Sequence, residues 1–163
     1  MSKKSVEIKT YVQPMPKTVV SCRGNDGREN TLVVAYCGNC SYDPPMAMVG
    51  IVPSRFSHKL VKESGCFVIN LPTKDFAKEY EVIGKQSGRD IDKFKELGLK
   101  SENGTKVNAP ILLDCPVNIE CTIVDSIMTG SHEMFIGKVE YVHADEKYLD
   151  EEGNIDFTKI NLI

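Results

Sequence analysis

The sequence contains no tryptophan, and tyrosine and phenylalanine bring its aromatic content to only 7%. No uninterrupted apolar run reaches the roughly 18 residues that read as a membrane-spanning helix. A basic excess is also missing. Twenty lysines and arginines face 23 aspartates and glutamates, a net charge of -3, so the chain lacks the electrostatic footprint of a nucleic-acid binder. Nothing reads GxGxxG, GxxxxGKS/T or GxSxG, which argues against a doubly wound dinucleotide site, a P-loop and a hydrolase nucleophile elbow. Met1 to Val6 is polar, carries Lys3 and Lys4 and leads into no apolar segment, so no secretory signal is read and a cytoplasmic protein is expected. With no internal repeat, low-complexity tract or linker, the 163 residues are read as one domain, 1-163.

What is present is a globular composition, 41% apolar and 26% charged, densely punctuated by 12 glycines and eight prolines. Short elements follow, most of them strand-like: residues 18–22, 31–37, 47–52, 66–71, 117–125 and 133–143. Over 117–125, Val117, Ile119, Cys121 and Ile123 alternate with polar residues, the pattern of a half-buried strand that pairs antiparallel with 133–143. Three small helices are expected: Ser57–Ser64, with Ser57 as N-cap and Gly65 as stop, residues 74–85, and 90–97. Strand runs broken by a few short helices predict a mainly β protein, an antiparallel barrel or sandwich with inserted helices.

Six cysteines in a reducing compartment need no disulfide, and Cys22, Cys66, Cys115 and Cys121 sit in apolar surroundings that suit small buried hydrophobes. Cys37-Gly38-Asn39-Cys40 is a CxxC, but it runs into Ser41-Tyr42-Asp43-Pro44-Pro45, which cannot open a helix to lower a thiol pKa. No further pair at metal-ligand spacing accompanies it, so no metal site is expected, and a redox dithiol and inert loop cysteines remain the two readings. Pro53-Ser54-Arg55-Phe56-Ser57-His58-Lys59 joins a strand end to a helix start. It suits a phosphate clamp, with Arg55 gripping oxygens and Ser57 offering a hydroxyl, and equally an exposed basic loop with a simple cap. A mononucleotide such as FMN stays open on these terms, since it needs a phosphate clamp, polar groups for the ring edge and an apolar wall. His132, after Thr129-Gly130-Ser131, reads locally as a surface loop residue.

Taken in order, these stretches resemble the flavin reductase-like family of FMN-binding split barrels, especially its flavoredoxin-like branch. The likeness runs from residue 14 to 143. It is carried by Pro16–Ser21, Gly27–Tyr36, Cys40-Ser41-Tyr42-Asp43-Pro44-Pro45, Arg55-Phe56-Ser57-His58, Ser64–Asn70, Gly84–Phe94, Ala109-Pro110 and Gly130–Val139. The resemblance implies a Greek-key antiparallel split β-barrel working as a homodimer, with non-covalent FMN at the interface and NAD(P)H as co-substrate. It implies that Asn30, Thr31, Val33 and Ala35 lie beside the isoalloxazine, with Cys40 and Ser41 near its polar edge. Arg55, Ser57 and His58 would take the phosphate and ribityl chain, Ser87 and Lys93 would add flavin contacts, and His132 would be the catalytic residue near the nicotinamide or flavin ring. Three departures stand out. Ser131 replaces an acidic residue and leaves His132 without an orienting carboxylate, Tyr36 stands where many members have tryptophan, and the C-terminal end at Ile163 is short of the family's tyrosine-containing end. The implied activity is an NAD(P)H-dependent flavin reductase. The alternatives are a flavoredoxin-like electron carrier with a protein redox partner and a flavin-binding relative without turnover.

Overall fold

A computed structural model describes all residues, 1–163. Nine strands and three α-helices follow in chain order. They are β1 (Thr18–Arg23), β2 (Glu29–Val34), β3 (Cys37–Ser41), β4 (Met46–Ile51), α1 (Phe56–Ser64) and β5 (Cys66–Leu71). Then come α2 (Ala77–Lys85), α3 (Lys93–Leu97), β6 (Ser101–Asn103), β7 (Pro110–Leu112), β8 (Val117–Thr129) and β9 (His132–Ala144). Seven strands form one antiparallel sheet in the order β2-β1-β5-β8-β9-β4-β3. Its two outer strands, β2 and β3, are joined by only Ala35 and Tyr36, and the Gly50 N–H donates to the Tyr36 carbonyl at 2.7 Å. A sheet whose opposite edges are consecutive in the chain must curl round to meet itself. The result is the expected split barrel, with non-sequential neighbours β1–β5, β5–β8 and β9–β4 giving its Greek-key connectivity.

The barrel interior is one cluster of 13 buried apolar side chains drawn from six strands and α1, with Phe67 and Phe135 as its largest members. Gly137 makes room for it, because a Cβ there would stand 2.7 Å from both Phe67 Cζ and Cys121 Cβ. Alternation explains why β1 and β5 read as continuous apolar runs: both of their faces are covered. Val20 and Ile69 face the interior, while Val19 packs outward against Phe76, Ile83 and Leu112, and Val68 against Val107, Ala109 and Ile111.

The structure corrects several expected elements. The run 31–37 is not one strand; it breaks at Ala35–Tyr36, so Cys37–Ser41 becomes a strand rather than a loop. The helix expected over 74–85 starts with one 3-10 turn (Lys74–Phe76), and the helix expected over 90–97 begins only at Lys93, because the Asp92 side chain caps it by accepting the Lys95 N–H at 3.2 Å. The β6–β7 pair was not expected at all. Most tellingly, the polar face of β8 is buried over its first half. Asn118 bonds Asn70 and the Leu112 carbonyl, and the fully buried Glu120 accepts from the backbone of Thr105, Lys106 and Val107 and contacts His143 Nε2 at 2.6 Å. No helix is long and apolar enough to cross a membrane.

Candidate functional site

The β2–β3 bend, the end of β4, the start of α1 and the loop after α2 enclose a cleft of about 370 Å³, within the few hundred cubic ångströms usual for small-molecule sites. Its apolar wall includes Val33, Ala35, Ile51 and Val52. Its charged lining is one-sided: Arg55, Lys85, Arg89 and Lys93 contribute, and no aspartate or glutamate does.

The start of α1 supplies donors. Arg55, not Ser57, is the N-cap, and no side chain closes the helix end. Ser57 lies inside the helix, one residue past its start, and its hydroxyl accepts from Asn30 Nδ2 at 2.7 Å. The backbone N–H groups of Phe56 and Ser57 are left without an intramolecular acceptor, as the first turn of an uncapped helix leaves them. The loop 86–89 closes tightly over this corner: at Gly88 a Cβ would fall 2.4 Å from Asn30 Oδ1 and 2.6 Å from Phe56 Cδ1.

Lys93 is 3% exposed, and its ammonium donates to the carbonyls of Thr31 and Ile83, both at 2.8 Å. Burial holds its pKa down to about 8, and the neighbouring Arg55 cation acts in the same direction. Lys85, by contrast, is exposed and paired with Glu81.

At the opposite end stands His132. The hydroxyl of Ser131 meets its Nδ1 at 2.8 Å, and Tyr36 packs edge-on against the ring at 4.6 Å between centroids. The residue that removes the expected carboxylate therefore orients the histidine itself. Beyond His132 and Tyr36 lies a second, more apolar cavity of about 580 Å³, bounded by residues 9–16 and three methionines, Met15, Met48 and Met134.

Of the residues singled out from the sequence, Asn30, Val33, Ala35, Arg55, Ser57, Ser87, Lys93 and His132 line the cleft. Thr31 does not; its hydroxyl donates to the Val20 carbonyl at 3.1 Å, and only its own carbonyl serves the site, through Lys93. Cys40 and Ser41 sit on β3, outside the lining, with Cys40 exposed at an irregularity between Asn39 and Ser41. His58 is buried outside the lining, its Nε2 2.7 Å from Glu133 Oε2. Glu133 also accepts from Lys62 at 3.1 Å and Ser126 at 2.8 Å. Despite the opposing effect of burial, these hydrogen bonds hold its carboxyl down to about 2. Sequence reasoning did not single out Glu133, although it interrupts the inward alternation Glu133, Phe135, Gly137 of β9. Phe56 and Arg89 also line the cleft, and in the sequence they stand out only as members of longer stretches.

Burial pushes Cys22, Cys115 and Cys121 up to about 12 and raises Cys37 and Cys66. No group of three or more metal-ligating side chains converges anywhere.

The flavin reductase like domain matches residues 11–158. Flavoredoxin of Desulfovibrio vulgaris (Miyazaki F) is 31% identical and superposes with a TM-score of 0.90 over 97% of this chain and 85% of its own. The FMN-binding protein from Thermus thermophilus, solved with bound 1-cyclohex-2-enone, is 26% identical with a TM-score of 0.81, covering 94% and 86%. The NADH:riboflavin 5'-phosphate oxidoreductase of Streptomyces pristinaespiralis is 26% identical over 122 residues, 75% of this chain and 66% of that protein.

Proposed function

The chain belongs to the flavin reductase-like family, and from that premise we propose that its cleft binds FMN without a covalent bond and serves an NAD(P)H-dependent flavin reductase. The observation that carries the reading is the one-sided charge of the cleft. A chain with net charge -3 lines one cavity with four cations and no carboxylate. Lys85 has Glu81 as a partner, whereas Arg55, Arg89 and the buried Lys93 have no carboxylate, and an anion entering the cleft would offset their charge.

The residues present fit that cofactor. Arg55 and the free N–H groups of Phe56 and Ser57 suit a phosphate at a helix N-terminus. Val33, Ala35 and Val52 give a flat apolar wall, and the close approach at Gly88 keeps the clamp loop tight against it. When bound, FMN supplies the redox chemistry, accepting and releasing hydride and single electrons. The protein's own work is binding, orientation and water exclusion. Lys93 places a positive charge beside the β2 backbone, and Ser131 and Tyr36 hold the His132 ring at the mouth of the second cavity. That cavity, walled by methionines, suits a nicotinamide or another planar apolar partner arriving next to the cleft. A second copy of the chain covering the open side of the cleft belongs to the same reading. Its support is the exposed apolar outer half of β8, with Val124, Ile127 and Met128 51%, 58% and 55% exposed.

The deciding experiment is an anaerobic visible spectrum of the FMN-loaded protein before and after NADH or NADPH. Bleaching of the flavin band within seconds is expected. A protein that takes up no FMN sinks the proposal. Bleaching by a reduced ferredoxin but by neither pyridine nucleotide would instead favour an electron carrier, the reading that the likeness to a flavoredoxin supports.

A further inference from the structure

One buried carboxylate lies behind the cleft without lining it: Glu133, on β9. Its Oε2 meets His58 Nε2 at 2.7 Å, and since a carboxylate only accepts, Nε2 carries a proton. The Lys62 ammonium reaches both carboxylate oxygens at 3.1 Å, and the Ser126 hydroxyl of β8 donates to Oε1 at 2.8 Å. His58 and Lys62 both belong to α1, so this carboxylate ties the helix to β8 and β9. Three lining residues stand one step from the tie. Ser57 precedes His58, His132 precedes Glu133, and Ile51 is opposite Glu133 in the β4–β9 ladder.

The backbone of α1 packs on β1, β2 and β5. Toward β9, which begins at His132, the helix reaches through His58, whose ring rests on Phe135 at 5.4 Å between centroids and bonds Glu133. The two α1 contacts to Glu133 differ in weight. The Lys62 side chain is 58% exposed, where an ion pair is worth little, whereas those of His58 and Glu133 are 11% and 6% exposed. A carboxylate buried in this way adds little net stability over an apolar residue of its size, because desolvation offsets most of what its hydrogen bonds return. What it does supply is direction, since only donors held in set places satisfy it.

We infer that Glu133 is a positioning residue that, through His58, fixes the first turn of α1 against the start of β9. The free N–H groups of Phe56 and Ser57 and the ring of His132, at opposite ends of the cleft, thereby keep a set separation. The inference rests on the flavin reading of the cleft and extends it, because the separation matters only to a ligand that engages both ends at once. On that reading FMN is such a ligand, with its phosphate at α1 and its ring toward His132. Riboflavin and inorganic phosphate each engage one end and are indifferent to the separation.

Calorimetric titration of the full chain with FMN, riboflavin and inorganic phosphate tests it, well below the melting temperature of each protein compared. These are the native chain, Glu133→Gln, His58→Gln, the double variant and Lys62→Met. Glu133→Gln should weaken FMN at least about tenfold and leave riboflavin and phosphate within about twofold. His58→Gln should do the same, and the double variant should lose no more than either single one, because both changes remove one tie. Lys62→Met should keep FMN within about twofold. A merely structural role would lower the melting temperature and either spare all three ligands or weaken them alike, and both results overturn the inference. Additive losses in the double variant overturn it too, as does a tenfold loss in Lys62→Met. Weakened phosphate in His58→Gln would place His58 on the anion itself and equally overturn it. NMR relaxation dispersion on the ligand-free chain gives a second readout. Glu133→Gln should bring millisecond exchange to the amides of residues 56–59 that the native chain lacks, and equal profiles overturn the inference. If the chain takes up no flavin, the flavin reading falls and the dispersion result alone decides whether Glu133 positions α1.

Discussion

Lys93 is nearly sealed from solvent, donates to two carbonyls and has no neutralising carboxylate. Its folded-state pKa of about 8 lies below its ordinary value of 10.5, so the unfolded chain binds the extra proton between those two values. The sign follows. This group costs the free protein stability below pH 8, and the cost fades as pH rises from about 8 to 10.5. An anion in the cleft reverses the balance, because it favours the ammonium form. With the FMN phosphate fully ionised above about pH 7, affinity should be level to about pH 8 and weaken above it, by at most about tenfold per pH unit. Lys93→Met should bind FMN more weakly at neutral pH and show no such break. The same decline in that variant would assign the titration to another group. Arg55 is the simpler case: exposed, unpaired and beside the free N–H groups of α1, it offers a charge-assisted hydrogen bond. Arg55→Ala should cost FMN binding about 1.5–3 kcal/mol, read by quenching of flavin fluorescence. Unchanged affinity would remove Arg55 from the site.

Among the elements, β3 decides what the CxxC can do. Cys37 and Cys40 are three residues apart on an extended strand paired to β4, so their Cα atoms stand on the order of 10 Å apart. A disulfide needs roughly 4.4–6.8 Å, and reaching it would strip β3 from its partner. Cys37→Ser/Cys40→Ser should therefore leave flavin reduction by NAD(P)H within about twofold, since the pair cannot cycle between dithiol and disulfide in place. A tenfold loss of turnover with flavin still bound would restore a redox role to the pair. This strand also marks the limit of what the chain reveals when read linearly. The apolar run 31–37 gives no sign of its break, because the bend at Ala35–Tyr36 is imposed by barrel closure and not by any glycine or proline. Asn118 and Glu120 look like a solvent face by alternation and are buried because the segment 104–112 folds over them. The short β6 and β7 pair only with each other and carry too few residues for a pattern. That Arg55 and Ser57 share one cleft was readable, since they stand two residues apart where β4 gives way to α1. The His58–Glu133 contact was not, because its partners lie 75 residues apart and meet only when α1 is seated on the closed barrel.

At the scale of the whole molecule, the β8–β9 hairpin projects an apolar surface next to the site. The first half of β8 is buried between β5 and β9, whereas residues 124–129 are exposed and include Val124, Ile127 and Met128. Val124 and Met128 have the same parity on the strand, although the irregularity near Asp125 means that the pleat alone does not place them on one face. These exposed apolar groups lie where β8 runs past the end of β5 and is paired on one side only, to β9, which is the material of an interface, and a second copy is the occupant proposed above. A stable pairing needs about 800 Å² from each partner, more than these three side chains supply, so the dimer proposed above requires further surface, taken from the open side of the cleft. On that proposal assembly and cofactor binding are coupled, since separating the copies would uncover the cleft. Sedimentation velocity on the FMN-loaded protein should show a dimer at micromolar concentration. Val124→Glu/Met128→Glu should shift it to monomer and weaken FMN at least about tenfold, although neither residue lines the cleft. A native protein that sediments as a monomer with its full FMN affinity would disconnect the hairpin from the site, and the cleft would then have to retain the flavin with the residues of a single chain.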